Sequence, residues 1–178
     1  MENTKFCMGF GDTNFIGVVN AEQYHSFVDE DWELGSLLKH FGTEMKAGHI
    51  LVFQMTEEGI EHSWKVEIRK NGIPLDGAFY RRSEGYIEVT GGQLFLVDYD
   101  CLTMAAQFED ENIPDKNCSN YRIEIEDGKY RVEVVQYYDV DRDKYVGTNS
   151  NETDLVLNFI KVEEFDQDVE EVFWCTYC

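Results

Sequence analysis

The stretch from Gly85 to Asp100, GYIEVTGGQLFLVDYD, places two adjacent glycines between two runs in which apolar residues recur. Gly91–Gly92 can adopt the positive φ that a two-residue type I′ or II′ turn requires. Because the length of such a turn fixes the register, the sequence predicts a hairpin that pairs Tyr86–Thr90 with Gln93–Val97. Strand alternation assigns one face of this hairpin to a hydrophobic core, formed by Ile87, Val89, Leu94 and Leu96.

Further regions of the chain have the composition of β-strands. Residues 48–55 and 62–72 are rich in apolar and β-branched residues, and the short turn between them predicts a second hairpin. Residues 121–140 predict a third hairpin around the turn at Asp127–Gly128, and residues 154–162 predict another strand.

Helical periodicity is scarce in this sequence. It predicts one helix over residues 28–41 and a single helical turn around Leu102–Ala106. Residues 109–120 and 146–153 have the composition of surface loops, and no linker divides the chain. With only two prolines and many short strands, residues 1–178 are expected to form a single, mainly β domain. We expect an antiparallel β-sandwich or a partly open barrel built from hairpins, with one or two short helices.

The charge balance limits the partners that this protein can bind. The chain has 36 acidic and 15 basic residues, which give a formal net charge of -21. Such a charge repels nucleic acids and anionic membranes, and it favours a basic protein as the partner.

The N-terminus and the cysteine pattern favour a cytoplasmic location. The N-terminus has no basic region followed by an unbroken apolar run, and no stretch approaches the ~20 apolar residues of a membrane helix. The five cysteines are odd in number and irregularly spaced, which argues for reduced thiols.

Three aspartates in the stretch DVDRDKY resemble the start of an EF-hand loop, namely Asp139, Asp141 and Asp143. However, Lys144 stands where that motif requires glycine, and Ser150 stands where it requires glutamate. The stretch is therefore not an EF-hand, although loose calcium binding by these carboxylates stays open as an alternative.

The remaining motifs give no catalytic or metal signature. Cys175 and Cys178 have CxxC spacing but no second such pair, while Cys7, Cys101 and Cys118 are isolated in the sequence. The sequence leaves open whether Cys175 and Cys178 bind a metal or form a disulfide. No histidine motif for metal binding, no GxSxG and no phosphate-binding loop is present. We therefore predict no catalytic residue, no metal ligand and no cofactor.

Acidic residues cluster next to aromatic residues, and this pattern is typical of contact surfaces for basic proteins. The densest cluster lies in VEEFDQDVEE, residues 162–171. We predict that its acids bind the partner: Glu163, Glu164, Asp166, Asp168, Glu170 and Glu171. Asp139, Asp141 and Asp143 form the second predicted set.

The region from Gly48 to Asp139 contains GHILVFQ, YRRSEGYIEVTGGQLFLVDYD, LTMAAQF and DGKYRVEVVQYYD. About half of the chain thereby resembles small bacterial β-sandwich proteins of the competence-associated nuclease-inhibitor and immunity-protein kind. The resemblance implies a bacterial origin and an inhibitory, non-catalytic role, and it assigns no functional residue.

These observations together predict an acidic, non-catalytic binding protein that neutralises a basic partner such as a toxin or a nuclease. Its acid clusters would act as phosphate mimics. Two alternatives stay open: a calcium- or carbohydrate-binding sandwich module, and an enzyme whose site is assembled from scattered residues.

Overall fold

The computed structural model describes residues 4–9, 11–57, 62–147 and 153–178. Within them the elements follow in this order: β1 (Thr4–Met8), β2 (Phe15–Val19), α1 (Leu34–Lys46), β3 (Ile50–Gln54), β4 (Trp64–Arg69), β5 (Arg81–Val89), β6 (Gln93–Asp98), α2 (Tyr99–Gln107), a 3₁₀ turn (Cys118–Asn120), β7 (Arg122–Glu124), β8 (Gly128–Gln136), β9 (Tyr138–Asp139), β10 (Lys144–Tyr145) and β11 (Leu155–Val162).

Two sheets share one hydrophobic core. The five-stranded sheet has the order β1-β4-β11-β8-β5, and the four-stranded sheet has the order β3-β2-β6-β7. All neighbouring strands run antiparallel except β11 and β4, which run parallel. Apolar side chains from both sheets belong to a single buried cluster, so the sheets pack as a sandwich, and neither sheet of the described residues closes into a barrel. The predicted mainly β fold with two helices is confirmed.

The predicted hairpins are wrong, although most of their strands exist. Gly91 and Gly92 both have the predicted positive φ of 71°. However, β5 pairs with β8 in one sheet, while β6 pairs with β2 and β7 in the other. The same holds for β3 and β4, and for β7 and β8. The two strands that flank each predicted turn therefore lie in different sheets. The prediction was wrong because alternation fixes which face of a strand is buried but not which strand lies beside it.

The two helices pack against the four-stranded sheet. Helix α1 contacts β3, and α2 contacts β6 and β2. Helix α1 begins and ends later than predicted. It begins after the acidic stretch because Glu33 and Ser36 form a capping box there. Helix α2 begins where Asp98 accepts a hydrogen bond from the backbone N–H of Cys101, which extends the predicted turn to nine residues. Neither helix has the length and apolar character that crossing a bilayer would require.

The C-terminal strap, residues 163–178, leaves β11 and crosses to the free edge of β3. Phe173 donates its N–H to the carbonyl of Val52 at 3.0 Å and accepts from the N–H of Gln54 at 2.9 Å. The strap therefore extends the four-stranded sheet by one short parallel bridge.

In the predicted loop at 146–153, residues 148–152 lie outside the described residues, whereas the loop at 109–120 is mostly exposed, as predicted.

Candidate partner-binding surface

The strap separates its acidic side chains from its aromatic ones. Glu163, Glu164, Asp166, Asp168, Glu170 and Glu171 are all exposed. Phe165, in contrast, packs against Tyr86 with ring centroids 5.4 Å apart, and Lys129 Nζ lies 5.3 Å from its ring centre. Phe165 therefore anchors the strap to the protein, and it does not supply the exposed aromatic contact that the sequence pattern suggested.

One strap acid is already paired within the protein. Lys46 at the end of α1 contacts Glu170 at 2.8 Å, and this hydrogen bond raises the pKa of Lys46. Both side chains are more than half exposed, so the pair contributes little to stability. It does fix where the middle of the strap meets α1.

The second predicted set, Asp139, Asp141 and Asp143, lies in a turn that is held by hydrogen bonds within the same segment. Asp139 is buried and accepts hydrogen bonds from the backbone N–H groups of Asp141 and Arg142 at 3.1 and 3.3 Å. Asp143 accepts a hydrogen bond from the hydroxyl of Tyr138 at 2.6 Å. The described residues include no grouping of these three carboxylates that could hold a metal ion, so the calcium alternative gains no support. Asp141 is exposed and faces a cleft.

This cleft, which we call the acidic cleft, has a volume of about 470 Å³ and lies between the start of β5, the turn after β9 and the strap. Its lining includes the carboxylates of Glu57 and Asp141 and the aromatic rings of Tyr80 and Trp174. Tyr80 is 36% exposed. The cleft thus combines exposed acids with accessible rings, which the strap does not.

Arg81 also lines the acidic cleft, and other groups of the protein hold its guanidinium. Its guanidinium donates to the carbonyl of Gln54 at 2.9 Å and to Oε1 of Gln136 at 2.7 Å. It also lies 4.1 Å from the ring centre of Trp174, within the range of a cation–π contact. Trp174 has a φ of +60°, which is unfavourable for a bulky residue and persists only where surrounding contacts hold it. No sequence pattern singles out Tyr80, Arg81 or Trp174, because the two segments that contain them are far apart in the chain.

A histidine and a carboxylate do converge elsewhere, at the start of β11. The fully buried carboxylate of Asp154 accepts hydrogen bonds from His62 Nε2 at 2.8 Å, from the backbone N–H of Lys65 at 2.9 Å and from the hydroxyl of Tyr145 at 2.5 Å. Burial acts to raise the pKa of Asp154, but these hydrogen bonds outweigh burial and lower it. The ring of His62 stacks on Tyr138 with centroids 4.5 Å apart. This network ties β4, β9, β10 and β11 together, and neither His62 nor Asp154 lines the acidic cleft.

The structure corrects two expectations about the cysteines. Cys175 and Cys178 form a disulfide, which the sequence left open and which departs from the expected set of fully reduced thiols. Cys101 and Cys118, isolated in the sequence, lie together in the interior beside Asp115. Nearby, burial raises the pKa of the Asp98 carboxyl to about 6.

Comparison with known proteins gives structural likeness and nothing closer. No protein-family model matches the chain, and neither does any curated protein sequence. The structure is similar to that of the product named crocagin biosynthetic gene J, with a TM-score of 0.53 at 11% identity, covering 90% of this chain and 99% of that one. It is also similar to ComJ from Bacillus subtilis, an inhibitor of the DNA-degrading activity of NucA, with a TM-score of 0.48 at 10% identity, covering 91% of this chain and 96% of that one. The predicted resemblance to competence-associated nuclease inhibitors is confirmed as a weak structural one, and it extends well beyond residues 48–139.

Proposed function

We propose that this protein is a non-catalytic inhibitor that binds a basic protein, of the nuclease or toxin kind, through its acidic surface. The observation that carries the proposal is the acidic cleft, in which the carboxylates of Glu57 and Asp141 flank the rings of Tyr80 and Trp174. A lysine or arginine side chain of the partner fits this chemistry, because it can pair with a carboxylate while its stem or its guanidinium packs on a ring.

The base within the cleft is held mainly by neutral groups. Arg81 donates hydrogen bonds to Gln54 and Gln136 and stacks on Trp174. Burial lowers the pKa of Arg81, and the nearby charge of Asp141 acts in the opposite direction without completing a salt bridge within the described part of the chain.

The strap acids supply a separate, long-range contribution. All six are exposed on one short segment of a chain whose net charge is -21. A dense patch of like charge steers an oppositely charged partner and raises the association rate. In this proposal the strap accelerates encounter, and the acidic cleft holds the bound partner. Nucleic acids and anionic membranes are disfavoured as partners by the same charge.

The test begins with capture of basic proteins from the source organism at low salt, followed by kinetics on the purified partner. Association is expected to slow by one or more orders of magnitude as the Debye length falls from ~30 Å at 0.01 M to ~8 Å at 0.15 M salt. Failure to capture any basic protein at any salt concentration overturns the proposal.

Two matched variants locate the steering surface. One replaces Glu163, Glu164 and Asp166 of the strap by the corresponding amides. The control replaces Glu109, Asp110 and Glu111, which are equally exposed and change the net charge by the same amount. A larger loss of association rate in the strap variant supports its role in steering, whereas equal losses show that only the total charge matters.

A third variant tests the cleft. Tyr80→Ala combined with Asp141→Asn is expected to increase the dissociation rate with little effect on association, because these groups act at short range. Unchanged dissociation shows that the partner is held elsewhere.

A further inference from the structure

Two copies of the same short motif lie next to each other inside the protein. Asp98 and Cys101 are separated by two residues, as are Asp115 and Cys118. In each copy the aspartate accepts a hydrogen bond from the backbone N–H of the cysteine, at 2.9 Å for Cys101 and 2.8 Å for Cys118. One copy starts α2 and the other starts the 3₁₀ turn, so both cysteines occupy rigid first turns.

These two turns bring two sulfur donors and one carboxylate oxygen donor close together. One sulfur from each cysteine and one carboxylate oxygen of Asp115 all lie within 4.8 Å of one another. Cys101 and Cys118 are buried, neither forms a disulfide, and Asp115 is half-buried. In the described part of the chain, this is the one group of three such donors close enough to hold a metal ion.

We propose that Cys101, Cys118 and Asp115 bind one zinc ion. Zinc takes thiolate sulfur at about 2.3 Å and carboxylate oxygen at about 2.0–2.2 Å in tetrahedral geometry, so neighbouring donors of a bound ion lie roughly 3.5–4 Å apart. Donor atoms that all lie within 4.8 Å of one another can reach that geometry with changes in spacing of about 1 Å. Calcium and magnesium prefer all-oxygen sites, and the thiolate pair selects against them. Each thiol releases its proton when the ion binds.

The other cysteines are unsuited to the site. Cys7 is exposed on β1, and Cys175 is joined to Cys178 by a disulfide. The proposed zinc would link the start of α2 to the loop at 109–120, which is otherwise mostly exposed. Its effect is therefore to stabilise that loop, independently of partner binding at the acidic cleft.

The test uses the full-length protein carrying Cys175→Ser and Cys178→Ser, because reduction would otherwise open their disulfide and free a second thiol pair. This background protein is reduced, stripped of metal and titrated with Co²⁺ as a spectroscopic substitute for Zn²⁺. We expect one equivalent of cobalt to bind, with the near-ultraviolet absorption of thiolate-to-cobalt charge transfer, and we expect zinc to displace it. Cys101→Ser and Cys118→Ser should each lose at least half of this absorption, because each removes one of the two thiolate ligands. Cys7→Ser, the control, should keep it unchanged.

Asp115→Asn tests the third ligand without removing its structural hydrogen bond. The asparagine side-chain oxygen can still accept from the N–H of Cys118, so the turn is preserved. Loss of the carboxylate should weaken cobalt binding by about tenfold or more, since even the loss of an outer-shell partner has an effect of that size.

Three outcomes overturn the proposal. The first is that this background protein binds no cobalt after reduction, whether or not Cys101 and Cys118 form a disulfide before it. The second is charge-transfer absorption that stays undiminished when Cys118→Ser is added. The third is an unchanged cobalt affinity in Asp115→Asn, a result that does not depend on whether the cysteine variants fold.

Discussion

Replacing Gly42 by alanine tests whether the C-terminal strap rests on α1 as the structure has it. A Cβ at Gly42 would overlap the carbonyl oxygen of Glu170 and lie 3.1 Å from its carbonyl carbon. The obstacle is backbone, so it cannot rotate out of the way as a side chain could. Gly35 in the same helix provides the control, because a Cβ there meets nothing within 4 Å.

The magnitude follows from two opposing effects. Exchanging glycine for alanine stabilises a helix interior by up to about 1 kcal/mol; Gly42 lies in the interior, whereas Gly35 is the second residue of α1 and gains less. Overpacking costs about 1–3 kcal/mol, and only Gly42→Ala incurs that cost, toward the upper end because the overlap is with backbone. The two variants should therefore differ by about 1–2 kcal/mol in the free energy of unfolding, with Gly35→Ala the more stable.

Thermal melting measures this difference directly. For a chain of this size each kcal/mol shifts the melting temperature by about 2–4 °C, so the gap between the variants amounts to several degrees. If Gly42→Ala melts at or above the temperature of Gly35→Ala, the strap does not lie against α1, and the position of its acids must be revised.

Three further predictions concern the core network, the turn and the strap anchor. Asp154→Asn should destabilise the fold by about 1–3 kcal/mol at neutral pH, because the amide cannot satisfy the donors that the carboxylate accepts. The pKa of Asp154 is lowered from 3.8, so its stabilising contribution is present above that value and is lost as the pH falls through the lowered pKa. Chemical unfolding at several pH values measures the difference in unfolding free energy between wild type and Asp154→Asn. That difference should shrink only in this acidic range. Gly91→Val should lower the unfolding free energy by more than about 1 kcal/mol in denaturant titration, because a β-branched residue is strained at a φ of 71°; wild-type stability contradicts this turn geometry. Phe165→Ala should lower it by about 1–2 kcal/mol, less than for a fully buried ring, and an unchanged melting temperature shows that the strap is not anchored there.

The sequence predicted most of the longer strands but missed β1 and β2, and it predicted the strand partners badly. The strands β3 and β4 show why the partners were wrong. β3 is apolar at four of its five positions and all five are buried, whereas β4 alternates in sequence between apolar and charged residues, although Glu67 is buried as well. A uniform apolar run indicates a strand covered on both faces, and an alternating run indicates a strand with one face less covered. This difference in pattern already distinguished the two strands, although they are close together in the sequence. Turn length alone, on which the hairpins were based, does not separate a hairpin from a crossover between sheets.

The candidate sites show a different limit. The acids of the strap could be found from composition, because six acidic residues in ten positions are conspicuous. The acidic cleft could not, since Tyr80 and Trp174 meet only after the strap has crossed to the edge of β3. The site at Cys101 and Cys118 could be predicted from the sequence only in part. The repeated spacing of aspartate and cysteine is visible in the sequence, but its significance depends on the two turns being neighbours in space.

The strap connects the structural and functional arguments, because displacing it and neutralising it have different kinetic consequences. Gly42→Ala keeps every charge and moves only the segment near Glu170, so long-range steering of a basic partner should be preserved. The amide variant at Glu163, Glu164 and Asp166 keeps the segment in place and removes charge, so its main effect should be on the association rate. If the displaced strap also disturbs Trp174 at its far end, Gly42→Ala should raise the dissociation rate from the acidic cleft while leaving association nearly unchanged. Stopped-flow kinetics on both variants separate the two effects, and an association rate that falls equally in both shows that the charge must be held in one position to act.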